Sequence, residues 1–258
     1  KRANWSSGIK RKEHGTEQPR HITQIGEGAS TARRSDLPAQ ATRSSQGIGM
    51  TSERTKLRMV ERLRAQGIQD DAVLAAMFSV PRHLFVDEAL ASRAYDDVSL
   101  PINFNQTISQ PYIVARMIEI LRNGRQLGKV LEIGTGCGYQ AAVLAQVADS
   151  VYSMERIEPL HLRAKKQLTE LQIHNVTLRY ADGCIGLPEV APFDGIIMAA
   201  AAPTLMPALR AQLAIGGRMV LPVGMNEQHL YLIERDAKGF RETKLEAVKF
   251  VPLLMGKA

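Results

Sequence analysis

The stretch VLEIGTGCGYQ, residues 130–140, most constrains what this chain can fold into. A short apolar run enters Gly134-x-Gly136-x-Gly138 directly, and residues suited to a helix follow. Glycines so placed let the main chain turn sharply and let a ligand come close where a Cβ would clash. The spacing is not the G-x-G-x-x-G dinucleotide fingerprint, and no Gly-Lys-Ser/Thr completes a Walker loop. Taken alone, the pattern fits a plain strand-to-helix turn equally well.

The surrounding sequence decides the fold class. Apolar strand-like runs at 129–134, 150–155, 176–181, 193–200 and 218–223 alternate with helical patterns at 139–148, 159–171 and 205–213. Gly216 and Gly217 read as the turn after the last of these helices, and HLYLIERD with KLEAVKFVPLL reads as an antiparallel hairpin. The expected class is α/β, a doubly wound, mostly parallel sheet with a C-terminal antiparallel hairpin. A helical entry section over 50–125 precedes it. There Leu57, Val60 and Leu63 recur at helical spacing before Gly67, a helix over 70–80 stops at Pro81, and a short helical piece follows. Residues 96–107 read as loop with a short strand, and Pro111 opens a helix running to Leu121. Sheets of this kind bind ligands beyond the carboxyl ends of their strands.

Three acids stand at or near those ends. Glu155 closes the second strand, 17 residues after Gly138, where a carboxylate can accept two hydrogen bonds from a ribose diol. Asp182-Gly183 closes the third; the acid can face an adenine amino group, or the pair can be a plain turn. Together, and in this order, these features favour adenosine binding. Glu132 lies inside the first strand, and a buried acid is costly without a partner. A cofactor ammonium or nearby backbone donors would supply one, as would a Lys or Arg of the entry section.

Charge and composition exclude several classes. The net charge is +7, but residues 1–49 hold nine Lys/Arg and four Asp/Glu, so +5 belongs to them and +2 to everything after. The balanced remainder lacks basic-aromatic interleaving and argues against nucleic acid. Residues 1–49 lack apolar periodicity and read as a disordered basic tail; the first methionine is Met50, so the tail is read as an extension upstream of the working start. No apolar run reaches the ~18–20 residues of a membrane span, and no signal-peptide core is present near the start, so a cytoplasmic protein is expected. Cys137 and Cys184 are too few for a disulfide scaffold or a zinc site, and the six His show no metal-binding spacing.

With those residues in place, VLEIGTGCGYQ, Glu155 and Asp182-Gly183 resemble the class I S-adenosylmethionine-dependent methyltransferases. More narrowly, TISQPYIVARM (107–117), DGCIGLPEVAPFDGIIMAAAAP (182–203), GGRMVLPVG (216–224) and FVPLL (250–254) resemble the protein-L-isoaspartate O-methyltransferase family, from about Met50 to the C-terminus. The resemblance implies a Rossmann-like methyltransferase fold and S-adenosyl-L-methionine as methyl donor. The implied acceptor is the α-carboxylate of L-isoaspartyl residues in damaged proteins and peptides. It casts Ser109 as the active-site serine, flanked by Ile108 and Gln110. It casts Ile108, Glu132, Gly134, Gly136, Gly138, Glu155, Asp182 and Gly183 as cofactor-binding, with no metal. On the residues alone, Ser109 is also a candidate N-cap for the helix begun by Pro111. A class I methyltransferase acting on RNA or a small molecule is the alternative activity, and a non-catalytic adenosine-binding scaffold the alternative class.

Overall fold

The computed structural model describes residues 52–258; the expected tail over 1–49 lies outside them. The entry section supplies α1 (Glu53–Ala65) and α2 (Asp71–Ser79), then 3₁₀ turns at Arg82–Phe85 and Glu88–Arg93. A two-residue antiparallel pair follows, β1 (Leu100–Pro101) with β2 (Thr107–Ile108), and then α3 (Pro111–Arg122). Each helix has a local cause. Asp70 caps α2, its side chain accepting from the Ala72 and Val73 amides at 3.0 and 3.3 Å. Pro111 occupies the first turn of α3, and Asn123 ends it in the left-handed region at φ 48°.

The rest alternates as β3 (Leu127–Ile133), α4 (Tyr139–Leu144), β4 (Ala148–Glu155), α5 (Glu158–Glu170), β5 (Val176–Tyr180), β6 (Phe193–Met198), α6 (Pro207–Arg210), β7 (Leu213–Val223), β8 (Gln228–Asp236) and β9 (Gly239–Val248). These strands form a seven-stranded sheet in the order β5-β4-β3-β6-β7-β8-β9. Strands β3 to β7 run parallel, while β8 and β9 add antiparallel strands at one edge. The expected α/β class therefore holds. Chain order reverses between β3 and β6, so the loops leaving these neighbours diverge and open a crevice.

Period-two alternation divides the core between the two faces. Val130, Ile197 and Val220 join the cluster built with α1, α2 and α3. Their sequence neighbours Leu131, Ile196 and Met219 join a second cluster with Phe193 and Leu209. Strands covered on both faces need apolar residues at nearly every position, which is why they read as continuous runs. Among the described residues, no helix is long and apolar enough to cross a membrane.

Three local expectations are corrected. Gly216 and Gly217 lie inside β7, where pairing with β6 shifts register; a glycine pair marks an irregularity in a strand as readily as a turn. The helix expected over 139–148 stops at Leu144, because β4 begins at Ala148. The one expected over 205–213 is a single turn, since Leu213 already pairs with Phe193.

Two buried carboxylates carry large energies. Asp70 also meets Arg122 of α3, and both side chains are less than a tenth exposed. Glu132, fully buried on β3, accepts from Gln140 Nε2 at 3.0 Å and from the Ser153 hydroxyl. Its partners among the described residues are thus a neutral amide and a hydroxyl, with no Lys or Arg. Burial pushes its carboxyl up to about 7, against the lowering effect of those two hydrogen bonds.

Asp70→Ala should cost about 3–5 kcal/mol in chemical denaturation, because it strands Arg122 and uncaps α2. For Glu132, the folded carboxyl binds its proton more tightly than the unfolded one. Its contribution to stability is therefore complete below about pH 4.5 and is lost as pH rises to about 7. Glu132→Gln removes this titration. Its stability relative to wild type should rise by on the order of 3 kcal/mol between pH 4.5 and pH 8, read from denaturation at both pH values.

Candidate functional site

The crevice at the carboxyl ends of β3 and β6 is a cleft of about 850 Å³, counted out to its open mouth. Its floor is the loop after β3, where Gly134, Gly136 and Gly138 take φ of 93°, 56° and 90°. Side-chain-bearing residues rarely adopt such values. Gly134 and Gly136 present main chain to the cleft. Gly138 does not line it. A Cβ there would come within 3.2 Å of Ala164 on α5, so this glycine lets α4 and α5 approach. Gly183 lines the far side, where a Cβ would meet Ile133 Cγ2 at 2.5 Å.

Glu155 sits on the wall at the end of β4, buried but lining the cleft. One oxygen accepts from the Gly136 amide at 2.8 Å and the other from the Ile157 amide at 2.9 Å. The carboxylate thus ties the glycine loop to the start of α5. Two of its roughly four lone-pair sites remain for further donors.

Glu132 stands behind the wall. It reaches the cleft through Gln140, which lines it and donates to Glu132, and through Ser153, whose hydroxyl is 2.6 Å from that of Thr135. Asp182 also stays off the lining. Its oxygens take the Cys184 amide at 2.8 Å and the Gly256 amide at 2.7 Å, and the Gly256 contact leads in holding its carboxyl below the usual range.

The segment TISQP forms another wall. Ile108 is buried and lines the cleft, while Ser109 is half-buried beside it. The N-cap of α3 is Gln110, without a side-chain cap bond. The capping role expected as possible for Ser109 is therefore absent. Among the described residues, the Ser109 hydroxyl has no hydrogen-bond partner. Beyond it lies an open groove walled by α3, the end of β9 and the residues just after it, including Tyr112, Arg116 and Phe250. Thr107, Ser109 and Val251 belong to both hollows and form the ridge between them.

The carboxy-terminal segment, for which no site role is expected from the sequence, walls the cleft. Residues 251–254 line it, held by hydrogen bonds of 2.8 Å from Ala201 to Val251 and from Leu253 back to Ala201. Farther on, the Ala258 amide donates to Arg156 O at 2.7 Å, and its carbonyl accepts from the Glu158 amide at 2.8 Å. The motif FVPLL marked this segment in the sequence, but an extended apolar run does not reveal what it covers. Cys137 is buried in the loop, and burial raises its thiol above the ordinary value, so it lacks thiolate character. No group of His, Cys, Asp and Glu suited to a metal occurs among the described residues.

The family model described as protein-L-isoaspartate(D-aspartate) O-methyltransferase (PCMT) matches residues 54–258. A protein-L-isoaspartate O-methyltransferase of Methylobacillus flagellatus is 64% identical over 214 residues, covering 81% of this chain and 96% of the relative. One from Chromobacterium violaceum is 57% identical over 221 residues, covering 86% of this chain and all of the relative. Among solved structures, a Plasmodium falciparum protein described as a beta-aspartate methyltransferase (PCMT), in complex with S-adenosyl-L-homocysteine, aligns with a TM-score of 0.66. It is 26% identical and covers 77% of this chain and 98% of its own. A match over nearly every described residue, from the α1 helix through the carboxy-terminal segment, places the chain in the protein-L-isoaspartate O-methyltransferase family.

Proposed function

We propose that this protein transfers a methyl group from S-adenosyl-L-methionine to the α-carboxylate of L-isoaspartyl residues in damaged proteins and peptides. Esterification supplies a better leaving group, the succinimide re-forms, and its hydrolysis returns some normal aspartate. The observation that carries this reading is the ridge at Ser109, where a cleft with adenosine-compatible walls meets a second, more open groove. The residues lining the first suit a small cofactor, and a protein chain can reach the second.

The cleft residues fit the cofactor. Gly134 and Gly136 leave main chain bare of Cβ atoms, and Glu155 keeps acceptor capacity for ribose hydroxyls. Gly183 gives a flat wall on the adenine side, with Ile108 opposite as apolar cover. Gly138, Glu132 and Asp182 support the site from behind: Gly138 through helix packing, Glu132 through Gln140, and Asp182 by holding Gly256.

S-adenosyl-L-methionine, when bound, supplies an electrophilic methyl on a sulfonium. The protein's own task is then positional. A substrate carboxylate of ordinary pKa, ~4, is already ionised at neutral pH and needs no base. The hydroxyl of Ser109, free of partners among the described residues, donates a hydrogen bond to that carboxylate and fixes its direction. Val251 and its neighbours exclude water from the cleft side of the ridge. Residues 50–125 provide the substrate edge and 126–258 the cofactor sheet of one methyltransferase domain. The free thiols of Cys137 and Cys184 suit the reducing cytoplasm.

Incubation with methyl-labelled S-adenosyl-L-methionine and an isoaspartyl peptide should yield base-labile label released as methanol. Stable label in RNA would replace this reading with the RNA methyltransferase alternative. Ser109→Ala should lower kcat about tenfold or more, with S-adenosylhomocysteine affinity kept within about twofold in calorimetry. Glu155→Gln should instead weaken S-adenosylhomocysteine by about 10–100-fold, because it loses acceptor capacity at both the loop and the ribose.

A further inference from the structure

Among the described residues Arg82 is the largest side chain fully removed from solvent, and its hydrogen bonds go to main-chain carbonyls with no carboxylate partner. A buried guanidinium without an acid is unfavourable unless other groups repay its lost hydration. The one carboxylate that acts on it electrostatically, Asp97, already accepts from the Tyr112 amide at 2.9 Å and from Gln66 at 2.8 Å. What Arg82 does touch is informative. Its Nε donates to the Ala94 carbonyl at 2.7 Å, and its Nη2 donates to the Ser109 carbonyl at 2.6 Å. The guanidinium carbon stands 4.7 Å from the ring centroid of Tyr139, the first residue of α4 after the glycine loop. Nη1 is buried with no hydrogen-bond partner.

These contacts join three segments far apart in sequence: the entry section at Ala94, the ridge at Ser109 and the glycine loop at Tyr139. The Ser109 carbonyl lies one residue before the first acceptor of α3, Gln110, whose carbonyl takes the Val114 amide at 3.3 Å. The helix therefore does not hold it, and Arg82 does. Fixing that carbonyl fixes the peptide plane between Ser109 and Gln110, and with it the direction in which the Ser109 side chain leaves the main chain. A planar fork presents separated donors to two carbonyls and a flat face to the ring; a lysine ammonium donates from a single point and has no face to stack.

We propose that Arg82 is a positioning residue for methyl transfer, clamping the Ser109 main chain against Tyr139 so that the Ser109 hydroxyl is held at the ridge between cleft and groove. This rests on the functional reading above, in which that hydroxyl directs the substrate carboxylate. Arg82 touches neither reactant and acts through Ser109. Displacement of a reacting group by about 1 Å is enough for a 10²-fold loss of rate, so a looser clamp is visible in turnover.

The test compares wild type, Arg82→Lys, Arg82→Gln, Ser109→Ala and the double variant Arg82→Lys/Ser109→Ala. Each is assayed on an isoaspartyl peptide at saturating S-adenosyl-L-methionine. Calorimetric titration with S-adenosylhomocysteine gives the folded fraction and the cofactor-site affinity. Arg82→Lys is expected to lower kcat per folded molecule about tenfold, with that affinity kept within about twofold. In the Ser109→Ala background the same change is expected to cost less than about twofold, because its target is gone. Equal losses in both backgrounds would overturn the proposal. A parallel fall in S-adenosylhomocysteine affinity would also overturn it, by assigning Arg82 to the glycine loop alone. If Arg82→Lys folds poorly, Arg82→Gln, which keeps a neutral donor on a shorter side chain, carries the comparison; failure of both to fold would assign Arg82 to the fold only and reject the role. A wild-type protein without transfer would refute the functional reading itself, and this proposal with it.

Discussion

Two neighbouring parallel strands, β3 and β6, send their chains in opposite directions, and the rest of the molecule is arranged around the gap this leaves. No residue of the sheet can fill it, because each strand ends there. The glycine loop turns to one side, the chain after Met198 turns to the other, and the entry section and carboxy-terminal segment wall the space between. The depth of the cleft is thus a product of topology, and its chemistry of the few side chains that reach the strand ends.

Those side chains are used sparingly. Of three acids near the strand ends, one faces the cleft and two brace it. Glu155 spends one acceptor on the glycine loop and one on the start of α5 while keeping a face to the hollow. Glu132 works through Gln140, and Asp182 through the Gly256 amide. Carboxylates that accept two donors are rigid, and rigidity is what a reaction limited by alignment requires. A site of this kind needs few groups that exchange protons and many that do not move.

Much of the fold was legible because buried parallel strands carry an unbroken apolar signal, and Gly134 and Gly136 a backbone one. The limits of the reading are equally physical. Gly216 and Gly217 signal irregularity, and only pairing with β6 decides between a turn and a bulge. The end of α4 at Leu144 depends on where β4 begins, which helix propensity does not encode. In the site, the acids at strand ends could be named from order and spacing. Which of them faces a ligand depends on rotamer and on distant donors such as Gly256, 74 residues from Asp182. Arg82 was invisible for the same reason: an arginine in PRHLFV gives no sign that it will be fully buried, and its partners Ala94 and Ser109 are backbone carbonyls.

The carboxy-terminal segment has a consequence for how the fold and the site depend on each other. Residues 251–258 join β6's exit at Ala201 to the start of α5 at Glu158, so they stitch together the two halves of the sheet on either side of the crevice. All seven strands of that sheet find their neighbours among themselves, and none of them pairs only with this segment. The pairing of the strands is thus independent of residues 251–254, while one wall of the cleft consists of them.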